Sequence, residues 1–185
     1  MPTYVALLRA VNVGGTGKLP MADLRKLLAG LGLRNVETYI QSGNAVFDAP
    51  GSASTVHKAL ATALEKRMGR PVGVLLRTHD QLTRAIADNP YPAEAAADGA
   101  RVHAVFLSAP APASAAAELN RVAAANPNRR DRFHFRGDML YLHLPDGAAD
   151  TKFTPAVMNR AVGASIEATA RNWNTILKLH QMSAR

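Results

Sequence analysis

The sequence predicts an α+β protein made of two ferredoxin-like (βαββαβ) halves in tandem, closed by a C-terminal helix. Three observations predict it. Hydrophobic periodicity switches between strand and helix spacing in the order β-α-β-β-α-β over the first 78 residues. The same order recurs after residue 100. A glycine-bearing turn, Ser42-Gly43 or Gly137-Asp138, separates the two middle strands of each half.

The elements follow in turn. "TYVALLR" is rich in strand formers and too short for a helix; both of its faces are largely apolar, as in a strand covered on two sides. "MADLRKLLAGLG" places Leu24, Leu27, Leu28 and Leu31 at helical spacing and stops on Gly32. "NVETYIQ" and "NAVFDA" form a hairpin. "ASTVHKALATALEKRMG" is a second helix with Val56, Leu60, Leu64 and Met68 on one face, and "PVGVLLRT" is a fourth strand. A short helix, "DQLTRAIAD", and a loop, "NPYPAEAAADG", lead onward. In the second half "ARVHAVFLSA" is a strand and "PASAAAELNRVAAAN" an alanine-rich helix. "RFHFRGDMLYLHLP" is a hairpin, "TPAVMNRAVG" a helix, "SIEATA" a short strand and "NWNTILKLHQM" the closing helix. The division is 1–78 for the first half, 79–99 for a connecting helix and loop, and 100–185 for the second half with its terminal helix.

Composition bounds the function. Of 185 residues, 48% are hydrophobic and 19% charged, as in a globular domain. No apolar run approaches the roughly 18 residues that cross a membrane, and the N-terminus has no signal-peptide pattern, so a cytoplasmic location is expected. The absence of cysteine excludes disulfides, thiolate metal sites and cysteine nucleophiles. A net charge of +8 favours anionic partners, either nucleic acid or a phosphorylated small molecule. With 5% aromatic residues, an extended base-stacking platform is not expected.

"AVNVGGTGKLP", residues 10–20, has the look of a phosphate loop. It fails the nucleotide-hydrolase pattern: Asn12 stands at the first glycine and Leu19 at the Ser/Thr that would bind magnesium. Pro20 breaks the dinucleotide pattern. In a βαββαβ unit the first two strands run the same way, so Arg9, Asn12, Gly14, Gly15 and Lys18 should gather at one end with Gln41, Ser42, Gly43 and Asn44. Gly14-Gly15 would let the backbone approach that hairpin. This end offers amides, glycine backbone and cations but no carboxylate to act as a general base. The competing reading is ordinary turn chemistry, with Asn12 and Asn44 satisfying loop backbone.

Two further stretches stand out. In the second hairpin, Arg132, His134, Arg136 and His143 share one strand face with Tyr141, and Arg129 and Arg130 enlarge this basic patch. It is a candidate phosphate surface or simply a solvated face, and its histidines lack the spacing of a metal site. In "ATARNWNTILKL", Arg171, Asn172, Trp173 and Asn174 open the last helix as a recognition segment or as a cap and a core anchor. No nucleophile, catalytic base, metal site or cofactor pattern is identifiable, and the oligomeric state is not encoded legibly.

"LLRAVNVGG", "LPMADLRKLL", "TYIQSGNAVF", "NPYP", "VFLSAP", "YLHLPDG" and "ATARNWNTILKL" together resemble the uncharacterised bacterial family called domain of unknown function 1697. The resemblance implies two related ferredoxin-like halves and carries no activity, substrate or cofactor. Family members usually have glycine where Ala10 stands, so this loop should be slightly stiffer here. The expected function is non-catalytic binding of an anionic ligand. The alternatives are an enzyme acting on a small polar or anionic substrate where residues 9–18, 41–44 and 171–174 converge, and a structural or interaction module.

Overall fold

The computed structural model describes all residues except 15 and 16, so Gly15 lies outside the described residues. The chain forms two compact units, residues 1–84 with 178–185 and residues 85–177.

In the first unit the strands β1 (Thr3–Leu8), β2 (Arg34–Tyr39), β3 (Asn44–Asp48) and β4 (Val74–Thr78) form one sheet in the order β2-β3-β1-β4. Every neighbouring pair is antiparallel, so β1 and β2, both antiparallel to β3, run the same way. The helices α1 (Met21–Gly30) and α2 (Ala53–Met68) supply Leu24, Leu28, Leu60 and Leu64 to a core with Tyr4, Ala6, Leu8 and Phe47. Ser52 caps α2 by accepting from the Thr55 amide, and left-handed Gly69 ends it. Val5, Leu7 and Val46, on the other sheet face, are buried as well, as the two-sided apolar pattern of the first strand predicts.

The second unit repeats the arrangement. The strands β5 (Val102–Leu107), β6 (Arg132–Arg136), β7 (Met139–His143) and β8 (Ala168–Asn172) pair in the order β6-β7-β5-β8. The helices α5 (Ala115–Ala124) and α6 (Pro155–Val162) contribute Leu119, Val122, Val157 and Met158 to a core with Val105, Leu107, Leu140 and Leu142. The fold is therefore α+β with two βαββαβ-like sheets and a C-terminal helix. The β6–β7 register sets Arg132 opposite His143 and His134 opposite Tyr141, as alternation about Gly137-Asp138 requires.

Two details differ from the sequence reading. Residues 89–99 are not all loop: α4 (Pro92–Ala97) forms there, started by a proline whose missing N–H costs nothing in a first turn. The strand expected over 165–170 lies instead at 168–172, because Ala168 and Ala170 pair with Leu107 and Val105 and the ladder continues through Asn172.

A helix also follows the last strand of each half, α3 (His79–Ala87) after β4 and α7 (Trp173–Ser183) after β8. Thr78 and Gln81 exchange side-chain-to-backbone bonds at the start of α3, and the Asn172 carboxamide oxygen accepts from the Thr175 amide at the start of α7. Arg77 and Arg171 occupy the same place in the two halves, one residue before these caps.

Candidate functional site

The loop after β1 and the β2–β3 hairpin meet at one end of the first sheet. The Leu8 amide donates to the Gly43 carbonyl at 2.9 Å. Gly43 has φ +75°, and a Cβ there would lie 2.5 Å from Val11 Cγ2 and 2.8 Å from Leu8 Cβ. Gly43 makes this close approach; a Cβ on Gly14 would meet nothing within 4 Å, and Gly15, named with it in the sequence reading, lies outside the described residues.

Asn12 ties loop to hairpin. Its Oδ1 accepts from the Leu19 amide at 2.8 Å, and its Nδ2 donates to the Leu19 carbonyl at 2.9 Å and the Gln41 carbonyl at 2.8 Å. Asn44 is fully buried and donates to the Tyr39 carbonyl at 3.1 Å and to Ser42 Oγ at 2.8 Å. Both carboxamides spend their hydrogens on the protein, as turn-bracing asparagines do.

Beside the Asn12 bonds lies a cavity of about 550 Å³ lined by Asn12, Val13, Gly14, Gly17, Lys18, Pro20 and Gln41; Ser42, Gly43 and Asn44 are not in its described lining. The volume falls within the range of small-molecule sites. Its described lining holds one cation, Lys18, and no carboxylate or imidazole. Leu19, buried, occupies the place where a hydroxyl would have to stand to hold magnesium. Ala10, Asn12 and Ile40 around this end all have left-handed backbone, with φ of +52°, +56° and +49°. Asparagine tolerates that region; alanine and above all a β-branched isoleucine are strained in it.

Arg70 is a residue the sequence reading missed. Its Nη2 donates to the strained Ala10 carbonyl at 3.0 Å. The signal was topological: β4 is antiparallel to β1, with Leu8 paired to Val74, so the segment entering β4 starts at the end where β1 finishes. Arg9 is half-buried in the same loop, its amide bonded to the Gly73 carbonyl at 2.8 Å.

The equivalent end of the second half is built differently. The Leu107 amide donates to the Asp138 carbonyl at 2.9 Å, repeating the Leu8–Gly43 bond. The following loop carries Pro110 and Pro112 in place of glycines and closes onto the hairpin through the Ala111 amide and the Gly137 carbonyl, 3.1 Å.

The basic hairpin is heavily paired. Arg130 meets Asp146 at 2.5 Å, Arg136 meets Asp88 at 2.7 Å, and Arg129 lies 3.6 Å from Asp131. Arg132 bonds Glu94, lies 5.0 Å over the Tyr91 ring and donates to His143 Nδ1 at 2.9 Å. Burial, then the Arg132 charge, lowers the His143 pKa. His134 is exposed. Among the described residues no cluster of three histidine, aspartate or glutamate side chains is placed to hold a metal.

Arg171–Asn174 forms the joint between β8 and α7. Arg171 is buried and donates to Thr169 Oγ1 and the Ala170 carbonyl, each at 2.8 Å; burial pushes its pKa down to about 10. Asn172 caps α7, and Trp173 is buried with its amide bonded to the Gly99 carbonyl at 3.0 Å. A Cβ on Gly99 would sit 2.2 Å from Asn174 Oδ1. These four residues belong to the second unit and are not in the described lining of the cavity.

A family model described as "Protein of unknown function (DUF1697)" matches residues 1–141. The chain belongs to the DUF1697 family. Its match includes the β1–α1 loop, the β2–β3 hairpin and β6, and ends within β7, before His143 and α7. This DUF1697 chain also resembles a solved structure, the conserved bacterial protein SP0830 from Streptococcus pneumoniae, with 23% identity, 98% of each chain covered and a TM-score of 0.68. That likeness extends to the fold. No curated protein matches the DUF1697 chain. Among its described residues no helix is long and apolar enough to cross a membrane.

Proposed function

We propose that this protein binds a small anionic molecule, without turning it over, in the cavity between the β1–α1 loop and the β2–β3 hairpin. The observation that carries the reading is a cavity of about 550 Å³ whose described lining has Lys18 as its single charge. A lone lysine in a concave site attracts anions, and nothing in the described lining repels them. The absence of an imidazole or carboxylate from that lining favours binding over acid–base chemistry. Nucleic acid is the other anionic partner suggested by the charge of +8, but the arginines of the second hairpin already hold carboxylates.

Thermal shift and NMR titration against inorganic phosphate, sulfate and simple phosphate monoesters test this. Stabilisation by anions that disappears in Lys18→Ala, with the fold intact by circular dichroism, is the expected outcome. Equal stabilisation of the wild type and Lys18→Ala would remove this cavity as the binding site.

A further inference from the structure

We infer that the ligand of this cavity carries a single acid group on an apolar body, an inference that rests on the anion-binding reading above. Asn12 is committed to protein backbone through both amide hydrogens and one acceptor bond. That leaves Lys18 and Gln41 as the side chains in the described lining with polar groups to offer, and both are exposed.

One lysine is a point charge suited to one acid group, either a phosphate monoester or a carboxylate. A di- or triphosphate needs more. Metal-bound phosphates are commonly held with a carboxylate on the metal, and the described lining has no carboxylate. Val13, which is 61% exposed, and Pro20 present apolar surface on the remaining wall, with Gly14 and Gly17 beside them. Isolated exposed valines are common, but this one lines a cavity of about 550 Å³, far more room than an acid group fills. The ligand's body covers Val13 and Pro20, its acid meets the Lys18 ammonium, and Gln41 offers a hydrogen bond to a polar atom between them.

The test compares inorganic phosphate, phenyl phosphate, benzoate and pyrophosphate with magnesium, followed by amide chemical shifts in the full-length protein. Phenyl phosphate or benzoate should bind roughly tenfold or more tighter than inorganic phosphate, through burial of the ring. The shifts should centre on Val13, Lys18 and Gln41, and Lys18→Ala should abolish them. Val13→Ser, a change at an exposed position, should weaken phenyl phosphate by a larger factor than inorganic phosphate. Phenyl phosphate and benzoate distinguish the two acid chemistries. If inorganic phosphate binds as tightly as phenyl phosphate, or magnesium pyrophosphate binds best, while Lys18→Ala still abolishes binding, the apolar-body inference fails and the anion site stands. If no probe binds at millimolar concentration, or Lys18→Ala binds them all, both readings fail.

Discussion

Gly43 shows how much one residue can decide at this site. Its φ of +75° is open to glycine, and its α-carbon is held against Val11 and Leu8 with no space for a methyl group. Gly43→Ala must therefore take up left-handed backbone and also push β1 away from the hairpin. A cost of about 2–4 kcal/mol is expected, from strain and overpacking together. The same substitution at Gly14, which also has positive φ but open space around it, pays for strain alone and should cost roughly half as much. Ala10 offers the reverse experiment. Its φ of +52° is unfavourable for alanine, and the Arg70 guanidinium fixes its carbonyl in place. Ala10→Gly relieves about 1–2 kcal/mol of strain and gives back up to ~1 kcal/mol in chain entropy, so a small net gain in stability is expected. Urea denaturation of the three variants reads all these effects. If Gly43→Ala is no worse than Gly14→Ala, the loop and hairpin are not in the contact described.

At the level of elements, α3 and the end of α7 are expected to respond to pH. Within the first unit the rings of His79 and His180 stack with centroids 4.3 Å apart, His79 Nδ1 lies 3.0 Å from Ser183 Oγ, and His180 Nε2 lies 2.9 Å from Thr83 Oγ1. Burial, then the His79 charge, lowers the His180 pKa below its ordinary 6.5. In the second unit burial lowers His103, whose Nδ1 is buried without a hydrogen-bond partner, and burial with Arg132 lowers His143. A histidine whose folded pKa is depressed takes up its proton first in the unfolded chain. Its stabilising effect is complete above about pH 6.5 and is lost as pH falls from there through the folded value. Asp48, Glu94, Glu118 and Asp146 are held low by hydrogen bonds, with Glu118 at about 2, so their contribution persists until pH falls below the ordinary carboxylate range. The urea midpoint should therefore drop as pH falls from roughly 6.5 to 5.5. Hydrogen exchange at residues 178–183 should quicken over the same interval. A flat profile there would show that these imidazoles are not desolvated in the folded chain. The two sheets were legible in sequence because strand alternation, glycine turns and helix periodicity are local signals. The His79–His180 stack was not legible, because its partners are about a hundred residues apart and neither lies in a histidine motif.

For the whole molecule, the question is where a net charge of +8 is available to a partner. Alternation along β6 and β7 correctly grouped Arg132, Arg136 and His143 on one face, but it could not supply their counter-charges. Glu94 and Asp88 come from 38 and 48 residues away, on and before α4. The β1–α1 site was more accessible to sequence reasoning, since parallel β1 and β2 force its loop and hairpin together; the division of labour between Gly43 and Gly14 needed coordinates. The pairing has a consequence for nucleic acids. Each phosphate contact by a free arginine steepens the fall of log K with log salt by about 0.9, whereas an arginine already bound to a carboxylate releases few counterions from DNA. Duplex DNA should bind weakly to the wild type, and Arg132→Ala with Arg136→Ala should barely alter the slope. Glu94→Gln with Asp88→Asn frees both guanidiniums at little cost, because exposed pairs contribute about 1 kcal/mol or less each. That double variant should bind DNA more tightly at low salt, with a slope steeper by about 2. Fluorescence anisotropy across a salt series measures both quantities. A steep wild-type slope that flattens on removing Arg132 and Arg136 would mean the hairpin meets phosphate in spite of its carboxylates, and would favour nucleic acid over a small anionic molecule as the partner.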